Sequence, residues 1–361
     1  MSESMADGSE AIRYGVIGTG MMGIEHLLNL RIVPGAEVTA VADPFPRSRQ
    51  WARDTAPGVA VYEDYRQLLA EAPLDAVIVA TPNHTHARVL EDVFQRDCHV
   101  LVEKPLCTTL DDCRRVAERA DTHSGIVWVG MEYRYMPPLA RLLEEVRGGS
   151  IGPLRMLAIR EHRFPFLPKV GDWNRFARNT GGTLVEKCCH FFDLMNLISE
   201  SRATRVYASG GQDVNHLEER YHGETPDILD NAFVLVDFES GARALLDLCM
   251  FAEASRNQEE IAATGDAGKV ECFIPDSTVM IGRRNPREIQ SHHVPVEERI
   301  LKAGGHHGST YFEHLAFRRA ILEGTAPEVG AQDGLRAVAI GLAAELSAAQ
   351  GRPVEMAELG V

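Results

Sequence analysis

Long apolar runs are missing from this 361-residue chain. None approaches the ~18 residues that a helix needs to cross a bilayer. Positive charge is in deficit: 37 Lys and Arg stand against 52 Asp and Glu, a formal net charge of −15. No basic run or basic–aromatic stripe occurs, which argues against nucleic acid or an anionic membrane as the main partner. Cysteine is sparse and irregular, seven residues with no C-x-x-C. That odd, scattered count points to a reduced, cytoplasmic setting. Cys188, Cys189 and His190 are contiguous, poor geometry for one tetrahedral ion. The His292-His293 and His306-His307 pairs have no clear ligand partners, so no metal is expected. Repeats and low-complexity segments are absent. Residues 1–10, MSESMADGSE, are polar and acidic, lack the apolar core of a signal peptide, and are expected to form a disordered tail.

What remains is ordinary for a soluble globular protein, 45% hydrophobic and 25% charged, and long enough for two domains. The stretch around which the chain is organised is YGVIGTGMMG…EVTAVAD, residues 14–43. Tyr14–Ile17 read as a strand, Met22 to about Ile32 as a helix, and Glu37–Ala42 as a second strand ending in Asp43. This is a βαβ unit with G-x-G-x-x-G at its first turn. Gly18 permits the tight turn, Gly20 lets a pyrophosphate approach the backbone, and Gly23 lets the helix sit close to the strand. The helix N-terminus at Met21 and Met22 offers N–H groups to phosphates. Asp43 is placed to accept the ribose hydroxyls, which favours NAD over NADP, although Arg47 and Arg49 lie near enough to soften that preference. A methyltransferase, which also binds its cofactor after a Gly-rich turn, is the competing reading of this stretch.

Strand and helix keep alternating. Asp75–Ala80 is a continuous apolar run, the mark of a strand buried on both faces. It ends in Thr81-Pro82-Asn83-His84, and Asn83–Gln95 read as a helix. His99–Val102 form a strand ending in Glu103-Lys104-Pro105. Strand ends of an open α/β sheet are where ligands bind, so these groups converge on one crevice. Near residue 132 the pattern changes to longer, alternating strands with hairpin turns. An N-terminal α/β Rossmann domain over 11–134 is therefore expected, followed over 135–361 by an α+β domain with a large, mostly antiparallel open sheet.

The second informative stretch is GGTLVEKCCHFFD, residues 181–193. Read as one helix from about Thr183, it carries an apolar stripe of Leu184, Cys188, Phe191, Met195 and Ile198. Glu186, His190 and Asp193 follow on another face at i, i+4 and i+7. An acid and an imidazole on one face suit proton transfer. The plain alternative is a loop anchor at Asp193 and a satisfied core histidine at His190.

Together these pieces resemble the Gfo/Idh/MocA oxidoreductases, the glucose–fructose oxidoreductase and inositol 2-dehydrogenase group. GVIGTGMMG, VADP, VIVATPNHTHA, VLVEKPL, GGTLVEKCCHFFD and VGAQDGLRAVAIGLAAELSAAQGRPV occur in the expected order over nearly the whole chain. The resemblance implies a C-terminal α/β domain, homodimers or homotetramers through its open sheet, and the lysine of EKP (Lys104) and histidine of H-x-x-D (His190) flanking the reacting carbon. Inositol dehydrogenase-like members carry an aspartate four residues before that histidine; here the position is Glu186, followed by Lys187 where small residues are usual. By the same resemblance Trp173 and Tyr311 occupy positions that often approach substrate.

The expected activity is NAD-dependent oxidation of a secondary hydroxyl of a cyclitol, sugar or sugar derivative. Lys104, His190 and Glu186 are the expected catalytic groups, with either Lys104 or His190 as base. Tyr133, Arg163, Trp173, Asn174, Lys187, His307 and Tyr311 are candidates to bind a polyol. Competing functions are a glycosidase or lyase that oxidises a ring carbon transiently with tightly held NAD, and a non-enzymatic dinucleotide sensor.

Overall fold

A computed structural model describes residues 11–361; the tail expected over 1–10 lies outside them. Six short apolar strands build the first sheet: β1 Ile12–Ile17, β2 Ala36–Ala42, β3 Ala60–Tyr62, β4 Ala76–Val79, β5 His99–Glu103 and β6 Val127–Gly130. Their order is β3-β2-β1-β4-β5-β6, all parallel. Helices α1 Met21–Leu30, α2 Pro46–Thr55, α3 Tyr65–Glu71, α4 His86–Val93 and α5 Leu110–Ala120 connect them. Ala76–Val79 and Val100–Val102 are buried throughout, which is why these strands read as unbroken apolar runs. The order reverses between β1 and β4, so the turns after β1, β4, β5 and β6 open into one crevice.

Helix α6, Pro137–Arg147, leads to a nine-stranded sheet. Its strands are β7 Leu154–His162, β8 Ala203–Gly211, β9 Asn231–Phe238, β10 Arg243–Cys249, β11 Glu259–Gly265, β12 Gly268–Ile274, β13 Thr278–Arg283, β14 Glu288–His293 and β15 Val354–Glu355. The order is β14-β13-β12-β11-β7-β10-β9-β8-β15, antiparallel except where β7 and β10 run parallel. Between β7 and β8 lie three helices, α7 Ala177–Thr180, α8 Thr183–Glu186 and α9 Cys189–Ser199. After β14 come α10 Glu298–Leu301, α11 Ser309–Glu323 and α12 Ala331–Gln350. Strands β3, β14 and β15 carry too little apolar alternation to be read from sequence: β3 has three residues and every residue of β14 is exposed. The helix expected over Asn83–Gln95 starts as a 3₁₀ turn at Asn83–Thr85 before α4.

One face of the large sheet is buried beneath α6, α9 and α12, through Leu157, Ile159, Leu246, Ile261 and Val270. The other face is bare. Across five strands Tyr207, Leu235, Leu245, Ala158 and Ala262 stand in one row, each paired with the next. Phe233 and Met156 flank the row at 60% and 61% exposure.

The two sheets are tied through their helices. Helix α12 packs on both α9 and α5, and α11 packs on α1. The Val129 N–H donates to the Val329 carbonyl at 3.0 Å. Arg134, just after β6, forks onto Asp193 of α9, with Nε 2.6 Å from Oδ2, and its Nη1 donates to the Glu328 carbonyl at 2.8 Å. Asp193 is thus an anchor rather than a member of the reacting face. Breaking a buried pair by removing one partner strands the other charge, at about 3–5 kcal/mol. Asp193→Ala is expected to lose that much stability in denaturant titration while leaving dinucleotide affinity unchanged; equal stability would show the pair to be dispensable.

Candidate active site

The glycine turn follows β1 directly. Gly18 has φ +91°, and a Cβ there would lie 2.5 Å from the Ala80 carbonyl oxygen. A Cβ on Gly23 would lie 2.0 Å from the Gly18 carbonyl oxygen. Gly20 differs: a Cβ there meets nothing within 4 Å. The space in front of Gly20 is open, and α1 begins there with no side chain capping its N–H groups. At the tip of β2, Asp43 Oδ2 accepts from the Thr19 N–H and Oδ1 from the Phe45 N–H, both at 2.8 Å. Arg49 donates to the carbonyls of Asp43 and Pro44 at 2.8 and 2.9 Å, and Arg47 lies over the Trp51 ring. Beyond β4, Thr81 accepts from the Thr85 hydroxyl at 2.8 Å, the Pro82 carbonyl caps the same turn, and the Asn83 Nδ2 is buried with no partner among the described residues. The Thr19 hydroxyl is likewise unpartnered. An open cradle at Gly20, free helix N–H groups, a strand-tip carboxylate and unpartnered polar atoms at Thr19 and Asn83 fit a dinucleotide.

At the end of β5, Glu103 and Lys104 part ways. Glu103 Oε1 lies 2.9 Å from His26 Nε2, and His26 Nδ1 lies 2.9 Å from His314 Nε2. Burial opposes the Glu103 charge, but His26, with Lys104 and His306, holds its carboxyl below the usual range. Lys104 reaches the other way, and Nζ donates to the Glu186 backbone carbonyl at 3.2 Å. That acceptor exists because the helix expected from Thr183 is broken. Helix α8 stops at Glu186 and α9 starts at Cys189. In a continuous helix the Glu186 carbonyl would be committed to the His190 N–H. Here it receives the lysine.

The break also undoes the expected pairing of Glu186 with His190. The Glu186 carboxylate takes Lys169 at 3.0 Å, and its Oε2 has no partner among the described residues. The carboxylate at the imidazole is Glu132, with Oε1 3.5 Å from His190 Nε2. It lies two residues beyond β6, a position read from sequence only as a change of pattern; its signal is an acid at a strand tip beside Lys104. Glu132 and His190 are both 2% exposed, and both Glu132 oxygens and His190 Nδ1 lack hydrogen-bond partners among the described residues. The Tyr133 ring stacks on His190 at 4.1 Å and 6°.

Charge in this pocket is unevenly shared. Burial, reinforced by Lys104, Lys187, His306 and Arg163, holds the His190 imidazole well below its usual range, so the ring is neutral. Burial also works against Lys104, but Cys189, Glu132, Glu103 and Glu186 outweigh it and keep the ammonium above the ordinary lysine range. Burial pushes Glu132 up to about 7, against the pull of His306.

Several expected substrate groups serve elsewhere. Lys187 is buried, 2.9 Å from Glu161 and bonded to the Tyr133 hydroxyl. Glu161 and Glu259 face each other across β7 and β11 on the inward side of the sheet, and Lys187 is the cation between them. Tyr133 therefore presents a ring face to His190 while its hydroxyl, 3.3 Å from Glu259, is committed. Arg163 pairs with Glu161 at 3.3 Å. Asn174 donates to the Leu167 carbonyl at 3.1 Å and pins its loop. Trp173, in the same loop, has Lys169 Nζ 4.5 Å from its ring centre and His84 at 6.1 Å, so it touches the crevice wall. His307 and Tyr311, expected to bind a polyol, turn elsewhere. His307 has φ +51°, and its ring turns to the Ser277 hydroxyl at 3.0 Å. Tyr311 packs with Val33 and Ile300 in a separate apolar cluster. The histidine facing the pocket is His306, bonded to Glu25 at 2.9 Å, which raises its pKa although burial opposes it.

Both domains have counterparts among known proteins. Residues 12–131 match a family model described as "Oxidoreductase family, NAD-binding Rossmann fold". Residues 144–356 match its companion, "Oxidoreductase family, C-terminal alpha/beta domain". An uncharacterized oxidoreductase, YrbE, of Bacillus subtilis is 28% identical over 96% of this chain and 97% of its own. A myo-inositol 2-dehydrogenase of Thermotoga maritima is 27% identical over 96% and 99%. The crystal structure of a probable dehydrogenase from Thermotoga maritima superposes with a TM-score of 0.78 at 25% identity, covering 96% of this chain and 99% of that one.

The glycines separate folding from cofactor binding. Gly23→Ala is expected to cost about 1–3 kcal/mol or more by overpacking. Gly20→Ala is expected to fold with unchanged stability and to bind NAD at least ~10-fold more weakly. Calorimetric titration beside thermal melts checks both, and unchanged NAD affinity in Gly20→Ala would remove this turn from the cofactor site.

Proposed function

The chain belongs to the Gfo/Idh/MocA oxidoreductases, and from that premise we propose that it oxidises a secondary hydroxyl of a cyclitol, sugar or sugar derivative with NAD. The observation that carries this is Lys104 Nζ held on the Glu186 carbonyl, four residues before His190. A charged ammonium from the Rossmann domain and a neutral imidazole from the second domain thus meet at one seam.

Bound NAD supplies the hydride acceptor; Gly18, Gly20, Met21, Met22, Gly23, Asp43, Thr81, Pro82, Asn83 and His84 would hold it. The charge states support one division of labour between the two groups. Lys104 donates to the substrate oxygen and stabilises negative charge as it develops. His190, uncharged, takes the hydroxyl proton. Glu186 keeps Lys169 and Trp173 at the wall, where an aromatic face and hydrogen-bonding groups suit a polyol. The Thermotoga maritima relative acts on myo-inositol by name, which supports the same substrate class.

We also infer that the chain assembles as a homo-oligomer through the bare face of the nine-stranded sheet. The row from Tyr207 to Ala262, with Phe233 and Met156 beside it, is a contiguous apolar strip that a second copy would cover.

Incubation with NAD and a panel of cyclitols and sugars is expected to yield accumulating reduced cofactor, read by absorbance; a glycosidase or lyase would cleave substrate without that accumulation. Lys104→Ala and His190→Ala are each expected to cut turnover at least ~100-fold with NAD binding intact, and near-normal rates in either would remove that residue from the mechanism. For the assembly, the double variant Phe233→Glu, Leu235→Glu is expected to shift the mass seen by light scattering to that of one chain. A single-chain mass in the parent protein would refute the oligomer.

A further inference from the structure

The reaction proposed above leaves one buried acid without a task. Glu132 is 2% exposed, and neither carboxylate oxygen has a hydrogen-bond partner among the described residues. Leaving such a group unsatisfied costs more than leaving out a surface contact, so its retention needs a reason. Its oxygen stands 3.5 Å from His190 Nε2, while the other nitrogen of that ring, Nδ1, is buried and equally unpartnered. The expected carboxylate, Glu186, is occupied by Lys169.

The imidazole also has a problem of charge. Four cationic groups, Lys104, Lys187, His306 and Arg163, oppose its protonation. A ring in that field is a poor acceptor unless an anion stands beside it when the proton arrives. Glu132 is the carboxylate within ion-pair distance of the ring.

We propose, resting on that reading of the reaction, that Glu132 is its positioning residue: it stands beside Nε2, holds the His190 ring in place, and balances the imidazolium that forms when Nε2 takes the substrate proton. In the step served, the substrate O–H bond breaks and an N–H bond forms at His190 Nε2. The carbinol C–H pair leaves as hydride to NAD, so the alcohol is oxidised to a ketone and NAD is reduced. The ring later releases its proton to solvent.

A pH dependence follows. Glu132 faces Glu103 and Lys104 from β5, His306 from the loop before α11, Glu313 from α11, and Cys189 and His190 from α9. Burial first, with Glu103, raises its carboxyl to about 7. Below that pH it is protonated and balances nothing. Oxidation is therefore full above about 7 and falls as the pH drops through it, and this limb belongs to Glu132 because His190 titrates far lower.

The test uses the full chain loaded with NAD and labelled with ¹⁵N-histidine, with His190→Gln to assign the signal. In the parent protein the His190 ring signals should shift as the pH crosses about 7, where Glu132 gains its charge. Glu132→Gln should abolish that shift, and Glu132→Asp should restore part of it. With an active polyol, Glu132→Gln should lower kcat for oxidation at least ~10-fold and erase the acid limb, with KM changed far less. A parent-like His190 spectrum or pH–rate profile in Glu132→Gln would overturn the proposal. If no polyol or sugar reduces NAD with the parent protein, the functional reading fails on its own. The spectrum needs no substrate and still decides whether the charge of Glu132 reaches the His190 ring.

Discussion

A lysine ammonium donating to a backbone carbonyl organises this molecule. Lys104 stands at the end of β5, and the acceptor, Glu186 O, belongs to the other domain. For that carbonyl to be free, the helix carrying H-x-x-D must stop and restart, and it does so between α8 and α9. The restart sets where His190 points and brings it to Tyr133 and Glu132 instead of Glu186. One unmade helical hydrogen bond thus fixes the meeting of two domains and the identity of the groups at their seam.

The same seam holds a dense set of buried charges, and several are answered locally. Arg134 answers Asp193. Lys187 answers Glu161, which would otherwise face Glu259 directly across the sheet. Where small residues are usual, a lysine is thus required by two inward carboxylates on neighbouring strands. Burial raises Glu259 to about 7 with Glu161 adding to the shift, as expected of like charges forced together. Lys187, a candidate to bind a polyol, is in the fold a matter of charge balance beneath the site.

Much of this was legible in the residues. The glycine spacing, Asp43 and the strand tips located the crevice, because tight turns and close backbone approach leave few choices of residue. The apolar runs of β4 and β5 and the alternation in β9 to β13 gave both sheets. Other features were out of reach for physical reasons. Spacing of i and i+4 is the same whether or not a helix breaks between them, so spacing alone sets Glu186 facing His190. Of two adjacent histidines, which one enters the pocket depends on the left-handed backbone at His307. Tyr311 lies at the start of a helix and packs on Val33, which comes from a distant part of the chain. Glu132 carried a signal, an acid at a strand tip, that was outweighed by its place at the change of pattern.

The buried string His314–His26–Glu103 joins helix α11, the nucleotide helix α1 and the strand that bears Lys104. Both histidine side chains are fully enclosed, and Glu103 is buried with them. Pulling any member away would strand buried polar atoms at about 1–3 kcal/mol each. These three elements therefore travel as a single rigid block. Any opening of the cleft has to pivot elsewhere, and the left-handed pair Gly171-Asp172, in the loop that carries Trp173, is the stretch of wall whose backbone is already bent.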